Sequence, residues 1–230
     1  PTRRSSDLVK YEDVIRTSFM KTYDAEGLEF IDHEKIEKQR SVLTYMAKKI
    51  GTNILSGKSI MNVSLPIHIF DSRSLLEAFA YSYRISKHFF RKAMESSNLE
   101  RIKLFTVYCL ATLCIGITGD KPFNPILGET FQAKIGDNLV YFEQTSHHPP
   151  IFNFYIKNPD FISYGHGALE ASTGANSAYA VYGGKFHIKT NDGILYSFKI
   201  PDLRFTGLMI GNRYVNYVTP LVVEDLVKYY

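Results

Sequence analysis

Two adjacent histidines, His147 and His148, stand directly before two prolines in the run EQTSHHPP, which spans residues 143–150. Proline disfavours the helical region for the residue before it, and Pro149 and Pro150 offer no backbone N–H. The run therefore predicts a stiff strand end. Imidazole titrates near neutrality and donates from both nitrogens when charged, so the pair indicates an anion site.

A second segment, KPFNPILGETF at residues 121–131, offers further donors. Lys121 and Asn124 each precede a proline, so both are biased out of helix and onto a restricted backbone. A lysine, an amide and two histidines can together bind a phosphate. The plainer alternatives are a solvated loop lysine and a structural histidine pair, and the residues alone leave these open.

Metal binding and covalent catalysis fit these residues less well. Neighbouring histidines on a regular strand point to opposite faces, and no cysteine lies close in sequence, which disfavours a zinc site. Ser146 lacks the Gly-x-Ser-x-Gly pattern of a hydrolase nucleophile, and no paired-carboxylate or P-loop pattern occurs. A lipid hydrolase or phosphatase therefore remains a minor alternative, to be tested by release of phosphate or fatty acid.

The two segments together resemble the fingerprint of the oxysterol-binding-protein-related lipid-transfer family. EQTSHHPP matches its EQ-x-SHHPP motif, and KPFNPILGETF matches the lysine–proline–asparagine–proline segment that precedes that motif in the family. A weaker resemblance extends from about Ile50 to Tyr217, including Ser64-Leu65-Pro66.

This resemblance implies a cytosolic lipid-exchange module that associates peripherally with organelle membranes and acts without catalysis or cofactor. Members bind phosphatidylinositol 4-phosphate, and many exchange it for a sterol or, in some branches, phosphatidylserine. By motif, Lys121, Asn124, His147 and His148 match the family's headgroup ligands. A sensor or tether that binds phosphoinositide without transport is the other alternative.

The resemblance also implies the fold: α+β, with a large, incompletely closed antiparallel β-barrel that encloses a lipid tunnel, preceded by a layer of helices and an N-terminal lid. Tyr23 to Phe30 is a candidate lid segment. In the family, further headgroup ligands come from a later helix, which has no counterpart before Tyr230. We therefore expect weak or absent lipid binding by these 230 residues alone.

The two ends of the chain also indicate a fragment. Residues 1–8, PTRRSSDL, lack an initiating Met and resemble a translated sequencing adapter, so we expect them to be non-native. Residues 9–230 would then be a partial lipid-binding domain whose C-terminal part is missing.

Composition agrees with a cytosolic protein that does not bind nucleic acid. The net charge is +4, with no basic stripe and no zinc-finger spacing. The uncharged run from Leu104 to Gly119 is shorter than the ~20 residues that cross a bilayer, and no secretory signal opens the chain.

Cys109 and Cys114 would diverge on one helix, so we expect free thiols in a reducing compartment. The 16 Tyr and 16 Phe could pack strands or line a cavity for an apolar ligand.

Three predicted helices precede the proline segments. The first lies within Phe30 to Ile50 and is stopped by Gly51. The second follows Pro66, with the capping box Ser74-Leu75-Leu76-Glu77 and an apolar face that continues to Phe89 and Phe90. The third starts at the capping box Ser97-Asn98-Leu99-Glu100 and runs to Leu113 and beyond.

Alternating strands follow Phe131 and are separated by glycine, asparagine and proline turns, which predicts an antiparallel meander. The predicted strands are Leu139–Phe142, Ile151–Lys157, Phe186–Lys189, Tyr196–Ile200 and Arg213–Val218. Helices first and strands afterwards indicate the α+β class.

Overall fold

The computed structural model describes residues 19–21, 27–50, 66–113 and 120–226, which form two compact units. The described residues of the first unit lie within Pro1–Ile69, Ala171–Ala180 and Asp202–Thr219, and those of the second lie within Phe70–Glu170, Val181–Pro201 and Pro220–Tyr230. The predictions for residues 1–8, Gly51 and Cys114 fall outside the described residues.

The described helices are α1 (His33–Ile50), α2 (Leu75–Ser82), α3 (Ser86–Met94) and α4 (Asn98–Leu113). At α2, the Ser74 hydroxyl accepts a hydrogen bond from the Glu77 backbone N–H at 3.4 Å, which confirms the predicted cap. At α4, the Ser97 carbonyl accepts the first helical bond from Arg101 at 2.7 Å. The three helical regions are therefore confirmed.

The second helical region differs from its prediction in two ways. A short strand stands between Pro66 and α2, and the 3₁₀ turn Tyr83–Ile85 separates α2 from α3. The apolar face that was predicted to continue from the Ser74 cap to Phe89 and Phe90 is therefore divided between α2 and α3. The strand forms because it pairs with residues about fifty positions later in the chain, a partner that local periodicity does not reveal.

The strands are β1 (Phe19–Lys21), β2 (Leu28–Phe30), β3 (Phe70–Ser74), β4 (Lys121–Phe123), β5 (Thr130–Ile135), β6 (Asn138–His147), β7 (Pro150–Lys157), β8 (Phe161–Thr173), β9 (Ser177–Gly183), β10 (Phe186–Thr190), β11 (Leu195–Phe198), β12 (Leu203–Thr206), β13 (Tyr214–Tyr217) and β14 (Val223–Asp225). Apart from the parallel pair β3–β4, the registers are antiparallel, which confirms the α+β class.

Strand β8 is the longest, with 13 residues, and the sequence did not predict it. Its glycines interrupt the alternation that marks a strand. The structure supplies the reason for one of them: a Cβ at Gly167 would lie 2.4 Å from the Phe152 ring on the neighbouring strand β7. A side chain at this position would force the buried Phe152 ring to shift, so glycine is favoured there by close packing between strands rather than by a turn.

The first unit contains α1 and a run of antiparallel strands. Their order in the sheet is β1, β2, β13, β12 and β9. Phe30 is buried, and its backbone N–H donates to the Arg213 carbonyl at 2.8 Å. Within the candidate lid segment, Leu28 to Phe30 are therefore strand residues. The lid itself stays a prediction, because residues 22–26 lie outside the described residues.

Arg213 holds the β12–β13 connection of this unit to α1. Its guanidinium donates to the carbonyls of Gly207 at 3.1 Å and Leu208 at 3.3 Å, and to the Gln39 side-chain oxygen at 2.8 Å. Arg40 also donates to the Gly207 carbonyl, at 3.2 Å. Burial, and then the neighbouring Arg40 charge, lower the pKa of Arg213 to about 10.

In the second unit, β5, β6, β7 and β8 pair consecutively, and β8 continues to β10, β11 and β14. The predicted meander is confirmed for the run β5 to β8. The inner face of these strands is aromatic: Phe90 of α3 stacks on Phe161 at 3.8 Å between ring centroids, and Phe105 of α4 lies 4.3 Å from Tyr196. Many of the aromatic residues therefore form a packed core.

Two further findings concern the predictions from composition. Cys109 is a buried free thiol whose pKa is raised by burial. None of the helices in the described part of the chain is long and apolar enough to cross a membrane.

Candidate functional site

The sequence predicted that Lys121 lies in a loop. In the structure it is the first residue of the short strand β4. The strand pairs in parallel with β3, where Lys121 faces Phe70. The rings of Phe70 and Phe123 stack with centroids 4.8 Å apart and planes 12° apart. This local packing and the fixed backbone of Pro122 hold the start of the KPFNP segment.

The Lys121 ammonium is half-buried and makes few contacts. Its Nζ donates to the Asn124 side-chain oxygen at 2.6 Å and, over 3.4 Å, to the Pro122 carbonyl, and it lies 4.9 Å from the centre of the Phe70 ring. Burial lowers the pKa of Lys121. Within the described residues, no carboxylate forms an ion pair with this ammonium, so its charge is left for another anion.

The loop after Asn124 closes through its own hydrogen bonds. The Glu129 carboxylate accepts from the Ile126 backbone N–H at 3.2 Å, and the Glu129 N–H donates to the Ile126 carbonyl at 3.0 Å. Gly128 has a φ of +78°, a conformation that glycine adopts without steric cost. The segment that carries Lys121 and Asn124 is therefore a defined turn leading into β5.

His147 and His148 lie at the turn between β6 and β7. The strand β6 ends at His147, which pairs with Pro150, and His148 and Pro149 form the turn. This arrangement agrees with the predicted strand end. Both imidazoles are exposed, with ring centroids 4.7 Å apart and planes at 60°. The His148–Pro149 peptide bond is cis.

Gln144 connects the two motifs, a role that the sequence pattern did not predict. Its backbone carbonyl accepts from the Gly128 N–H at 2.9 Å, and its N–H donates to the Glu129 carbonyl at 2.9 Å. The buried Gln144 side chain donates to the Ser146 carbonyl at 2.7 Å, bracing the strand just before the histidines. Gln144 belongs to the EQTSHHPP run, and Gly128 and Glu129 belong to the KPFNPILGETF segment. Only the fold shows that these residues are hydrogen-bonded to one another.

The four predicted headgroup ligands thus form two contacting pairs on connected segments of the second unit. Lys121 bonds Asn124, and His147 lies against His148. In the described part of the chain, no hydrogen bond joins one pair to the other. The arrangement offers an ammonium, an amide and two imidazoles, all of them able to donate to phosphate oxygens.

The family model described as "Oxysterol-binding protein" matches residues 48–228 of the chain. The chain is 31% identical over 203 residues to Oxysterol-binding protein 9 of Dictyostelium discoideum, covering 86% of this chain and 47% of that relative. It is 32% identical over 170 residues to Oxysterol-binding protein homolog 2 of Saccharomyces cerevisiae, covering 70% of this chain and 13% of the relative. The chain belongs to the oxysterol-binding protein family and spans less than half the length of these relatives.

Solved structures share the fold. The Osh1 ORD domain in complex with ergosterol is similar with a TM-score of 0.69 and 25% identity, over 80% of this chain and 44% of that one. The Osh3 ORD of Saccharomyces cerevisiae in complex with PI(4)P has the same TM-score and 22% identity, over 80% and 49% of the two chains. At such identity the second likeness concerns the fold alone.

Proposed function

We propose that this protein binds lipids and transfers them between membranes, without covalent chemistry, and that Lys121, Asn124, His147 and His148 bind the phosphate of phosphatidylinositol 4-phosphate. Membership of the oxysterol-binding protein family supports the lipid-binding function. The half-buried ammonium of Lys121, which is held by an amide oxygen and has no carboxylate partner among the described residues, is the single observation that best supports the site.

This ammonium is suited to phosphate because folding has already removed part of the water around it, so binding a ligand has less water to displace. A charge removed from water interacts more strongly with an opposite charge than an exposed one does. Asn124 accepts from Lys121 through its side-chain oxygen, which leaves the amide NH₂ of Asn124 free to donate to a second phosphate oxygen. The lysine and the asparagine would therefore bind the phosphate together.

The two exposed imidazoles would complete the site from the β6–β7 turn. A phosphomonoester carries about −1.5 to −2 charges at pH 7, and a charged imidazole donates from both nitrogens. An imidazole can donate at least one hydrogen bond whether it is charged or neutral, so both histidines can contribute donors to the phosphate oxygens.

The second ligand that we propose is a sterol, exchanged for the phosphoinositide. Structures of similar chains hold ergosterol or cholesterol in one case and PI(4)P in another. If both ligands compete for one cavity, each displaces the other at the membrane where it is abundant, and no enzymatic step is needed. The protein would then act in the cytosol, in peripheral contact with membranes. Phosphatidylserine is the alternative second ligand.

The headgroup site is tested by combining Lys121→Glu with His147→Ala and His148→Ala in the full-length protein. We expect extraction of phosphatidylinositol 4-phosphate from liposomes to weaken at least about 100-fold, because a negative charge replaces the Lys121 ammonium and both imidazole donors are removed. The matched control is Lys103→Glu, which reverses an exposed lysine on α4. Undiminished extraction by the triple variant would exclude this site.

The same liposomes distinguish transfer from the other candidate activities. Transfer predicts that labelled phosphoinositide and sterol arrive intact on acceptor liposomes. Release of inorganic phosphate or fatty acid would instead indicate a hydrolase, and binding without net transport would indicate a sensor or tether.

A further inference from the structure

Three exposed tyrosines form a row across the outer face of the meander in the second unit. Side chains alternate between buried and exposed along β6 and β7, so one face of these strands is open. In the registers, Tyr141 of β6 pairs with Tyr155 of β7, and Tyr155 pairs with Tyr164 of β8. Their exposed fractions are 42%, 43% and 38%. The row continues to His187 of β10, whose ring centroid lies 5.3 Å from that of Tyr164.

A second row runs beside the tyrosines, displaced by two residues on each strand. Lys134 of β5 pairs with Leu139, Leu139 pairs with Lys157, and Ile162 lies between Lys157 and Lys189. The three lysines are exposed, and so is Leu139, at 39%. Since adjacent strands lie about 4.8 Å apart, lysines on alternate strands are about 10 Å apart, with an aliphatic side chain between them.

The charges of this lysine row are not neutralised on its own face. No ion pair involves Lys134, Lys157 or Lys189 in the described part of the chain. The carboxylate Glu143 lies on the opposite side of the tyrosine row, and Glu224 bonds Lys185 at 3.4 Å. Exposed aspartates follow in the turns beyond the lysine row, at positions 137, 160 and 192, and Asp192 is paired with Arg101.

We propose that the tyrosine row and the lysine row form one docking face for an anionic bilayer surface. Cross-strand tyrosine pairs and scattered lysines each occur on ordinary solvated sheets, and the combination of the two rows on one face is what indicates a bilayer. Protein–protein interfaces are enriched in tyrosine but depleted in lysine. The lipid headgroup region accommodates both, because tyrosine lies at the level of the headgroups and lysine is attracted to anionic lipids.

This face is separate from the proposed headgroup site. On β6, Tyr141 is six residues from His147, or about 20 Å along an extended strand, and Leu139 in the lysine row is further still. The face uses none of the four headgroup residues. It therefore predicts binding to anionic bilayers that contain no phosphoinositide, whether or not the headgroup proposal holds.

The test is sedimentation of the full chain with phosphatidylcholine vesicles, with and without phosphatidylserine and without phosphoinositide. We expect binding only to the anionic vesicles, weakening at high salt. Lys134→Glu, Lys157→Glu and Lys189→Glu together should weaken it about 100-fold, since each lysine near an anionic surface contributes roughly a factor of five. The control reverses Arg91, Lys92 and Lys103, which are exposed on α3 and α4 and give the same net charge.

A direct readout comes from Tyr155→Trp, because the chain contains no tryptophan. We expect its emission to shift to shorter wavelength on anionic vesicles and to be quenched by brominated lipids, whereas a single tryptophan at the exposed Tyr45 of α1 shows neither effect. Equal losses in both triple-charge variants, or an unchanged emission spectrum of the Tyr155→Trp variant on bound vesicles, would overturn the proposal. Displacement by poly-glutamate without lipid quenching would favour an acidic polypeptide instead and also overturn it.

Discussion

Two cations that are partly or fully withdrawn from water, one in each unit, differ in the partners to which they donate hydrogen bonds. Arg213 is buried, and its guanidinium donates to two carbonyls and one amide oxygen. Lys121 is half-buried, and its ammonium has one short bond, to Asn124, and one long one, to Pro122. Burial lowers the pKa of both side chains, so burial alone does not distinguish them.

The difference indicates which cation is structural and which can bind a ligand. Arg213 directs its donors at fixed backbone and side-chain oxygens and thereby holds the β12–β13 connection to α1. Lys121 donates only to Asn124 and to the carbonyl of its own neighbour Pro122, and it keeps one of its three N–H groups for a ligand. A perturbed cation is therefore a better candidate for a binding site when its hydrogen bonds do not hold separate elements together.

The largest effect that we expect is on stability, from Arg213→Met. The substitution leaves the Leu208 carbonyl and the Gln39 side-chain oxygen without this donor, so the free energy of unfolding should fall by about 3 kcal/mol. Urea denaturation measures the change. Arg204→Met is the matched control in the same unit, because Arg204 is exposed and lies over the Tyr179 ring at 5.7 Å. A loss below about 1 kcal/mol at position 213 would show that this cation is not structural.

A smaller effect is expected from Asn124→Asp, which would give the Lys121 ammonium an anionic partner within the protein. The new carboxylate would pair with the ammonium and repel the phosphate, so affinity for phosphatidylinositol 4-phosphate should fall about tenfold or more. Asn124→Ala, which removes the acceptor without adding charge, should lose less. Liposome extraction by both variants gives the comparison, and a greater loss in the alanine variant would contradict it.

The smallest effect concerns pH on the alkaline side. Since burial lowers the pKa of Lys121, its ammonium deprotonates at a lower pH than that of an exposed lysine. Affinity for the phosphate should therefore begin to fall at a lower pH than an ordinary lysine would allow. Lys121→Arg keeps its charge and should flatten this decline by a few-fold, as measured by binding between about pH 8 and about pH 10. Parallel pH profiles for the two proteins would argue against a ligating Lys121.

Much of the local structure could be predicted from the sequence, because its determinants lie within a few residues of one another. Ser74 and Ser97 stand directly before α2 and α4, as their capping patterns predicted, and within the run EQTSHHPP strand β6 ends before the His148–Pro149 turn. The motifs in the two proline-rich segments also gave the family, which the comparisons confirm.

What could not be predicted depends on partners distant in the chain. Strand β3 exists because it pairs with Lys121–Phe123, and Gly167 in β8 is favoured by close packing against the ring of Phe152. The bonds from Gln144 to Gly128 and Glu129 follow from the register of β5 against β6. Propensity and periodicity describe single elements and contain no register between them.

The sequence by itself determined which side chains can bind a phosphate, since proline restriction and donor type are properties of the residues concerned. Only the tertiary structure decided that Lys121 is half-buried beside Asn124 while Arg213 is buried and bonded to Gln39 of α1. The same holds for the rows of tyrosines and lysines, which lie on separate strands and form only when the sheet aligns them. Burial, and contacts across strands, depend on the assembled fold, because water is excluded by residues that are remote in sequence.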